Sequence, residues 1–265
     1  METHSKRLLS LDAFRGITIV AMILVNNPGS WNNVYPPLLH AEWHGWTPTD
    51  FIFPFFLFIM GVAMPFSLGK RLERRDSHIQ LFKKILRRTL IIFFLGLFLN
   101  FYWDFDLQSL RIPGVLQRIA VCYFFASLIL LKLNRKWQIG VSVFILAAYW
   151  AVLKLIPVPG HGAGVLQPEG SLVWYIDKSL LAGHTWKWAP AAGFDPEGIL
   201  STFPAIVSVL LGVFTGDWLR SDKSPYEKLT GLFVFANIGL VSGVIINIWF
   251  PINKNLWSSS YVIFM

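Results

Sequence analysis

Seven apolar runs, each close to the roughly 20 residues that a helix needs to cross the hydrocarbon core of a bilayer, constrain this chain more than any other feature. They cover approximately residues 8–26, 51–69, 86–103, 113–132, 138–156, 200–219 and 229–250. In lipid a backbone must satisfy its own hydrogen bonds, so runs of this length predict helices. The expected fold is an all-α polytopic transmembrane bundle, one domain over residues 1–265. An eighth run begins near Trp257 and the chain stops within it at Met265, so the sequence is expected to be truncated at its C-terminus. Only 14% of the residues are charged, against about 25% in a soluble domain. The net charge of +8 does not indicate nucleic acid, because the basic residues sit between apolar runs, where they report orientation.

Lys6 and Arg7 precede the first run. Lys70, Arg71, Arg74, Arg75, Lys83, Lys84, Arg87 and Arg88 lie between or just inside the second and third, and further clusters follow the fourth and sixth. The alternate loops are poor in Lys and Arg, with none from Asn27 to Asp50. The positive-inside rule then predicts a cytoplasmic N-terminus, with the Asn26–Asp50 loop on the other side. The start has the charge and apolar core of a signal peptide, but NNPGSWNN follows where a small-residue cleavage site would stand, so a retained helix is expected. The long loop 157–199 carries four aromatics in WYIDKSLLAGHTWKW and a short helical pattern near Leu172 to Leu181. It is expected to form an ordered extracytoplasmic cap. Cys122, the single cysteine, lies in an apolar run and is expected to pack as a small hydrophobe.

Ionisable groups in or near spans are costly, and each is a candidate for function. Asp12 and Arg15 stand three apart on one helical face and can neutralise each other; Asp50 precedes an apolar run and can cap its helix. His40 and His44 flank Glu42 at helical spacing, but no third ligand is evident, so no metal is expected. A lone histidine at a membrane boundary has both structural and catalytic readings.

Five collinear segments decide between them. RLLSLDAFRGITIVAMILVNNPG, HAEWHGWTPTDFIFPFFLFIMG, RIPGVLQRIAVCYF, FDPEGILSTFPAIVSVLLGVFTG and PINKNLWSSSYV closely resemble successive segments of the heparan-α-glucosaminide N-acetyltransferase family and its bacterial relatives. Chance likeness between apolar helices would not reproduce DPEGIL or NKNLW. The resemblance implies transfer of acetyl from cytoplasmic acetyl-CoA to the amine of a glucosamine-type sugar across the membrane. It assigns the active histidine of the His-x-x-Trp-x-Gly motif to His40, with Trp43 and Gly45, and the asparagine that acts beside it to Asn26. It also implies further helices after the NKNLW segment, and a homodimer by family likeness alone.

The residue types suit that chemistry. Histidine titrates near neutral pH, which fits it to take a proton from an amine attacking a thioester, or to carry the acetyl group itself. The Asn26 amide offers an uncharged donor for an oxyanion. Asp50, Asp195 and Glu197 lie toward the outer face as candidates for binding the sugar or orienting His40, with Glu42 and Trp43 beside the motif. Arg15, Lys83, Arg87 and Arg88 are candidates for the phosphates of acetyl-CoA, against the simpler reading that they set topology. A transporter or flippase of a small glycan is the alternative from another class. Acetyl transfer to a hydroxyl is a third reading.

Overall fold

The computed structural model describes residues 8–69, 71 and 77–265; Lys6, Arg7, Lys70, Arg74 and Arg75 lie outside the described residues. In chain order the long helices are α1 (Leu9–Asn26), α2 (Ile52–Met64), α3 (His78–Asp104), α4 (Val115–Lys132) and α5 (Arg135–Leu155). They are followed by α6 (Leu172–Leu181), α7 (Thr202–Arg220), α8 (Pro225–Ile246) and α9 (Ser259–Phe264). Among the described residues, seven helical spans are long and apolar enough to cross a membrane, as the sequence predicts for a multi-pass membrane protein.

Two helix starts differ most from the hydropathy reading, for local reasons. α3 begins at His78 rather than near 86, because Lys83 and Lys84 are good helix formers that continue the helix while staying exposed. α8 begins at Pro225 rather than near 229, where Ser224 and Glu227 form a reciprocal capping box and Pro225 takes the first helical position.

α2 and α7 form the centre of the bundle, and glycine brings their backbones together. A Cβ on Gly61 would overlap the carbonyl oxygen of Val209, and one on Gly212 would overlap that of Phe58. A Cβ on Gly216 would stand 2.5 Å from the Val62 oxygen. Gly212 and Gly216 are one turn apart on the same face, the small-residue spacing that allows membrane helices to approach closely. Leu57, Met64, Ile119, Cys122, Ala126, Val209, Leu210, Trp257 and Tyr261 are buried around this contact. α1 and α8 bury little of their length against the rest of the chain.

The 157–199 segment folds into a cap. A short antiparallel pair, Pro157–Val158 with Gly162–Ala163, leads to α6, whose Ser171 cap accepts a hydrogen bond from the Trp174 amide at 3.3 Å. Val173, Trp174 and Phe194 bury against Tyr149, Leu153, Phe250 and Leu256. Each such side chain contributes about 1.5–3 kcal/mol by leaving water. The cap is tied to the turn before α4, where the Ile112 amide donates to the His184 carbonyl at 2.9 Å.

Candidate active site

His40 lies in the loop after α1, and the next ten residues hold it. A turn over Pro48–Phe51 leads into α2 and is closed by a capping box, in which Thr47 and Asp50 satisfy each other's amides. Asp50 Oδ2 accepts from the amides of Ala41 and Thr47, each at 3.0 Å. Its other oxygen, Oδ1, is 2.7 Å from His40 Nδ1. The carboxylate thus caps the helix and also orients the imidazole. Asp50 is 2% exposed, whereas the His40 side chain is 51% exposed, so the pair joins a fixed acid to a ring that substrate can reach.

A third group comes from the far end of the chain. Lys254 Nζ is 3.0 Å from His40 Nδ1 and 3.4 Å from Nε2, and 3.4 Å from Asp50 Oδ1. The two ring nitrogens flank a single carbon. A heavy atom at such similar distances from both cannot lie in the ring plane without striking that carbon, so the amine stands over the imidazole face. Burial pushes the Lys254 pKa below the usual lysine range, against the opposing pull of Asp50 and Glu197.

Lys254 is delivered by a turn sewn to the histidine loop. Asn253 donates to the Trp43 carbonyl at 2.7 Å, and the Gly45 amide donates to the Ile252 carbonyl at 2.8 Å. Gly45 has φ of +97°, a conformation that strongly favours glycine, which gives the motif's glycine its reason. Trp257 holds φ of +50° and is fixed there by Phe53, Tyr261 and Arg118 around its ring and by its indole donating to Ser208 Oγ at 3.1 Å. Tyr261 donates its hydroxyl to the Asp50 carbonyl at 2.6 Å.

Asp195 and Glu197 meet on Arg111. Its guanidinium gives Asp195 two hydrogen bonds, at 2.8 and 2.7 Å, and Glu197 one at 2.5 Å. Although burial opposes it, Arg111, Arg118 and Lys254 hold the Glu197 carboxyl below the usual range, so negative charge persists beside the lysine. Arg118 is buried, donates to the Gly198 carbonyl at 3.3 Å and bonds Ser201.

The remaining expected residues are placed differently. Trp43 turns inward, its indole donating to the Leu166 carbonyl at 2.8 Å and its ring packing on Phe194. Glu42 is exposed and joins none of these hydrogen bonds. Asn26 is exposed in the last turn of α1, and no hydrogen bond among the described residues joins it to His40. His44 faces Asn253 at 3.2 Å rather than the partners of His40. Arg15 pairs with Asp12 at 3.7 Å. Arg87 and Arg88, with Lys84, line a shallow groove on the N-terminal half of α3, and Lys83 is exposed on the same stretch. Arg88 and Asn100 on α3 are separated by about 18 Å of helical rise, and Asn100 donates to the Arg111 carbonyl at 2.9 Å. The basic groove and the end of the bundle that carries Arg111 are therefore far apart along the bundle axis.

Lys254 and Arg111 were the residues that sequence reasoning left out of the site. Arg111 is the one basic residue of its loop, 105–114. The available signal for Lys254 was its position between two asparagines in PINKNLW, in a loop on the same side as His40.

The family model described as "Heparan-alpha-glucosaminide N-acetyltransferase, catalytic" matches residues 7–244. The chain belongs to this family. Against heparan-alpha-glucosaminide N-acetyltransferase of Mus musculus it is 31% identical over 316 aligned positions, which take in 98% of this chain and 47% of the mouse protein. Against that of Homo sapiens it is 32% identical over 312, with 97% and 46% covered. The chain spans about half the length of the curated relatives it matches. His40, Asp50, Arg111, Asp195 and Glu197 fall inside the matched family region, and Lys254 lies just beyond it.

Proposed function

We propose that this protein is a membrane-embedded N-acetyltransferase that moves acetyl from cytoplasmic acetyl-CoA to the amine of a glucosamine-type sugar on the opposite side. The observation that carries this reading is the 2.7 Å contact between His40 Nδ1 and the buried Asp50 carboxylate. A carboxylate acceptor favours the proton on Nδ1 and leaves the lone pair on Nε2, which is what a general base or an acetyl carrier needs. The acceptor amine gives its proton to His40 as it attacks the thioester carbonyl. The amine of Lys254, 3.4 Å from Asp50 Oδ1, is a hydrogen-bond donor beside the ring for that carboxylate and for the tetrahedral oxygen. Asn26 remains a proposed donor to that oxygen, Arg111 fixes Asp195 and Glu197 near the sugar, Glu42 lies at the rim, and Trp43 anchors the histidine loop behind it.

Orientation and donor follow the same reading. With the N-terminus cytoplasmic, the groove of Lys84, Arg87 and Arg88 opens toward the cytoplasm. Arg87, Arg88 and Lys83, with Arg15 on α1, are then suited to the donor's phosphates. The extended arm of acetyl-CoA carries the thioester toward His40.

Purified protein in detergent, given labelled acetyl-CoA and glucosamine, should form N-acetylglucosamine. A folded His40→Ala variant should lose the reaction by roughly a hundredfold or more. Unchanged transfer by that variant would sink the assignment of His40. No transfer by wild type to any amino sugar would sink the enzyme reading and favour transport.

A further inference from the structure

An acceptor amine must come within hydrogen-bond reach of a ring nitrogen of His40 to lose its proton there. One amine of the protein already stands beside that place, over the face of the ring. Lys254 Nζ, at 3.0 and 3.4 Å from the two ring nitrogens, is a primary alkylamine, the same functional group as the amine of glucosamine. The turn that carries it is fixed by Asn253, whose side chain donates to the Trp43 carbonyl and accepts from the Leu256 amide at 2.8 Å, so the side chain starts from beside the ring. The side chain is 17% exposed. The charged and titratable groups that face it are His40, Asp50, Glu197 and Arg118. Burial and Arg118 favour the neutral amine, which is the nucleophilic form, while Asp50 and Glu197 act against it. Other lysines are seated elsewhere: Lys178 lies over Trp174 and Lys223 over Trp218.

We infer that Lys254 is itself an acetyl acceptor, so that the site acetylates its own lysine when no amino sugar is bound and the sugar competes with that reaction. This rests on the acetyl-transfer reading above. The neutral Nζ attacks the carbonyl carbon of the acetyl thioester; the N–C bond forms and the C–S bond breaks. Rotation about the terminal bonds of Lys254 brings Nζ from over the ring to its Nε2 edge, where His40 takes the proton from nitrogen and returns it to the thiolate, leaving acetyl-lysine and the free thiol. The amide has no positive charge to set against Asp50 and Glu197, so the modified site is braked, and a bound sugar protects it.

The test is peptide mapping by mass spectrometry of the protein in detergent after incubation with acetyl-CoA alone, with excess glucosamine, and for His40→Ala with acetyl-CoA alone. N-acetylglucosamine is measured in parallel. The expected result is an acetyl group on Lys254 that resists hydroxylamine, as an amide does, and is suppressed by glucosamine. Its formation should be roughly a hundredfold slower in His40→Ala, whereas any acetylation of Lys178 should respond to neither. An unmodified Lys254 alongside efficient acetylation of glucosamine overturns the inference and leaves the enzyme reading standing. Acetylation of Lys254 that neither glucosamine nor His40→Ala slows is solution chemistry and overturns it too. Absence of both products overturns both.

Discussion

Asp50 divides its two oxygens between two tasks: Oδ1 meets His40 Nδ1 at 2.7 Å, while Oδ2 accepts the Ala41 and Thr47 amides that close the start of α2. Asp50→Asn keeps the shape but lacks the charge, and its amide nitrogen can accept from neither ring nor backbone. Transfer should fall roughly a hundredfold or more. The fold should lose only about 0.5–2 kcal/mol, the scale of a helix cap. Rates paired with thermal midpoints check this, and a variant with wild-type kcat would remove Asp50 from the mechanism.

The backbone contact between α2 and α7 tolerates no added side chain. Gly212→Val should destabilise the protein by about 1–3 kcal/mol or more, because the obstacle is the Phe58 carbonyl rather than a mobile side chain. Gly140, with nothing near its Cβ position, should accept alanine with little change. Thermal unfolding of the two variants in the same detergent separates them.

Asp177 provides a pH prediction. It is fully buried on α6, accepts the Ile199 amide at 3.0 Å with one oxygen, and leaves the other without a partner against Gly198. Burial raises its pKa from 3.8 to about 7. A raised acid favours the folded state below the unfolded pKa, and that advantage is lost as pH rises through the folded value. The loss is about 4 kcal/mol at most, from roughly three units at about 1.4 kcal/mol each. The thermal midpoint should therefore fall between about pH 4 and pH 7 and level off above that, and Asp177→Asn should flatten the slope. Equal slopes for both proteins would contradict the assignment.

The groove on α3 predicts a separation of effects. Arg87→Ala together with Lys84→Ala should raise KM for acetyl-CoA roughly tenfold, with kcat little altered, and added salt should narrow the difference because these charges are exposed. Arg88 is a poorer probe, since its guanidinium also rests 4.8 Å from the Tyr123 ring centre. A fall in kcat without a change in KM would place these residues away from the donor.

What the sequence reveals follows from the range of each interaction. The spans were legible because bilayer thickness imposes a length on every apolar run, and α6 because its pattern is local. Their ends shifted where Lys83 and Lys84 extended a helix past its apolar part, and where Ser224 and Glu227 capped one early. His40 and Asp50 are ten residues apart, within reach of a motif, although Asp50 alone looked equally like a cap. Arg111 meets Asp195 across 84 residues and Lys254 meets His40 across 214, and no periodicity encodes such pairings. Trp43 illustrates the reverse: a motif residue expected at the substrate instead holds the loop to the cap at Leu166.

That 214-residue separation also sets an order of assembly. At synthesis rates of about 5–20 residues per second, the lysine emerges some tens of seconds after the histidine. During that interval the spans between them enter the bilayer while the imidazole waits with only its carboxylate partner. The three-part cluster is thus completed late in biogenesis, and its formation reports that the intervening helices have threaded in the right order.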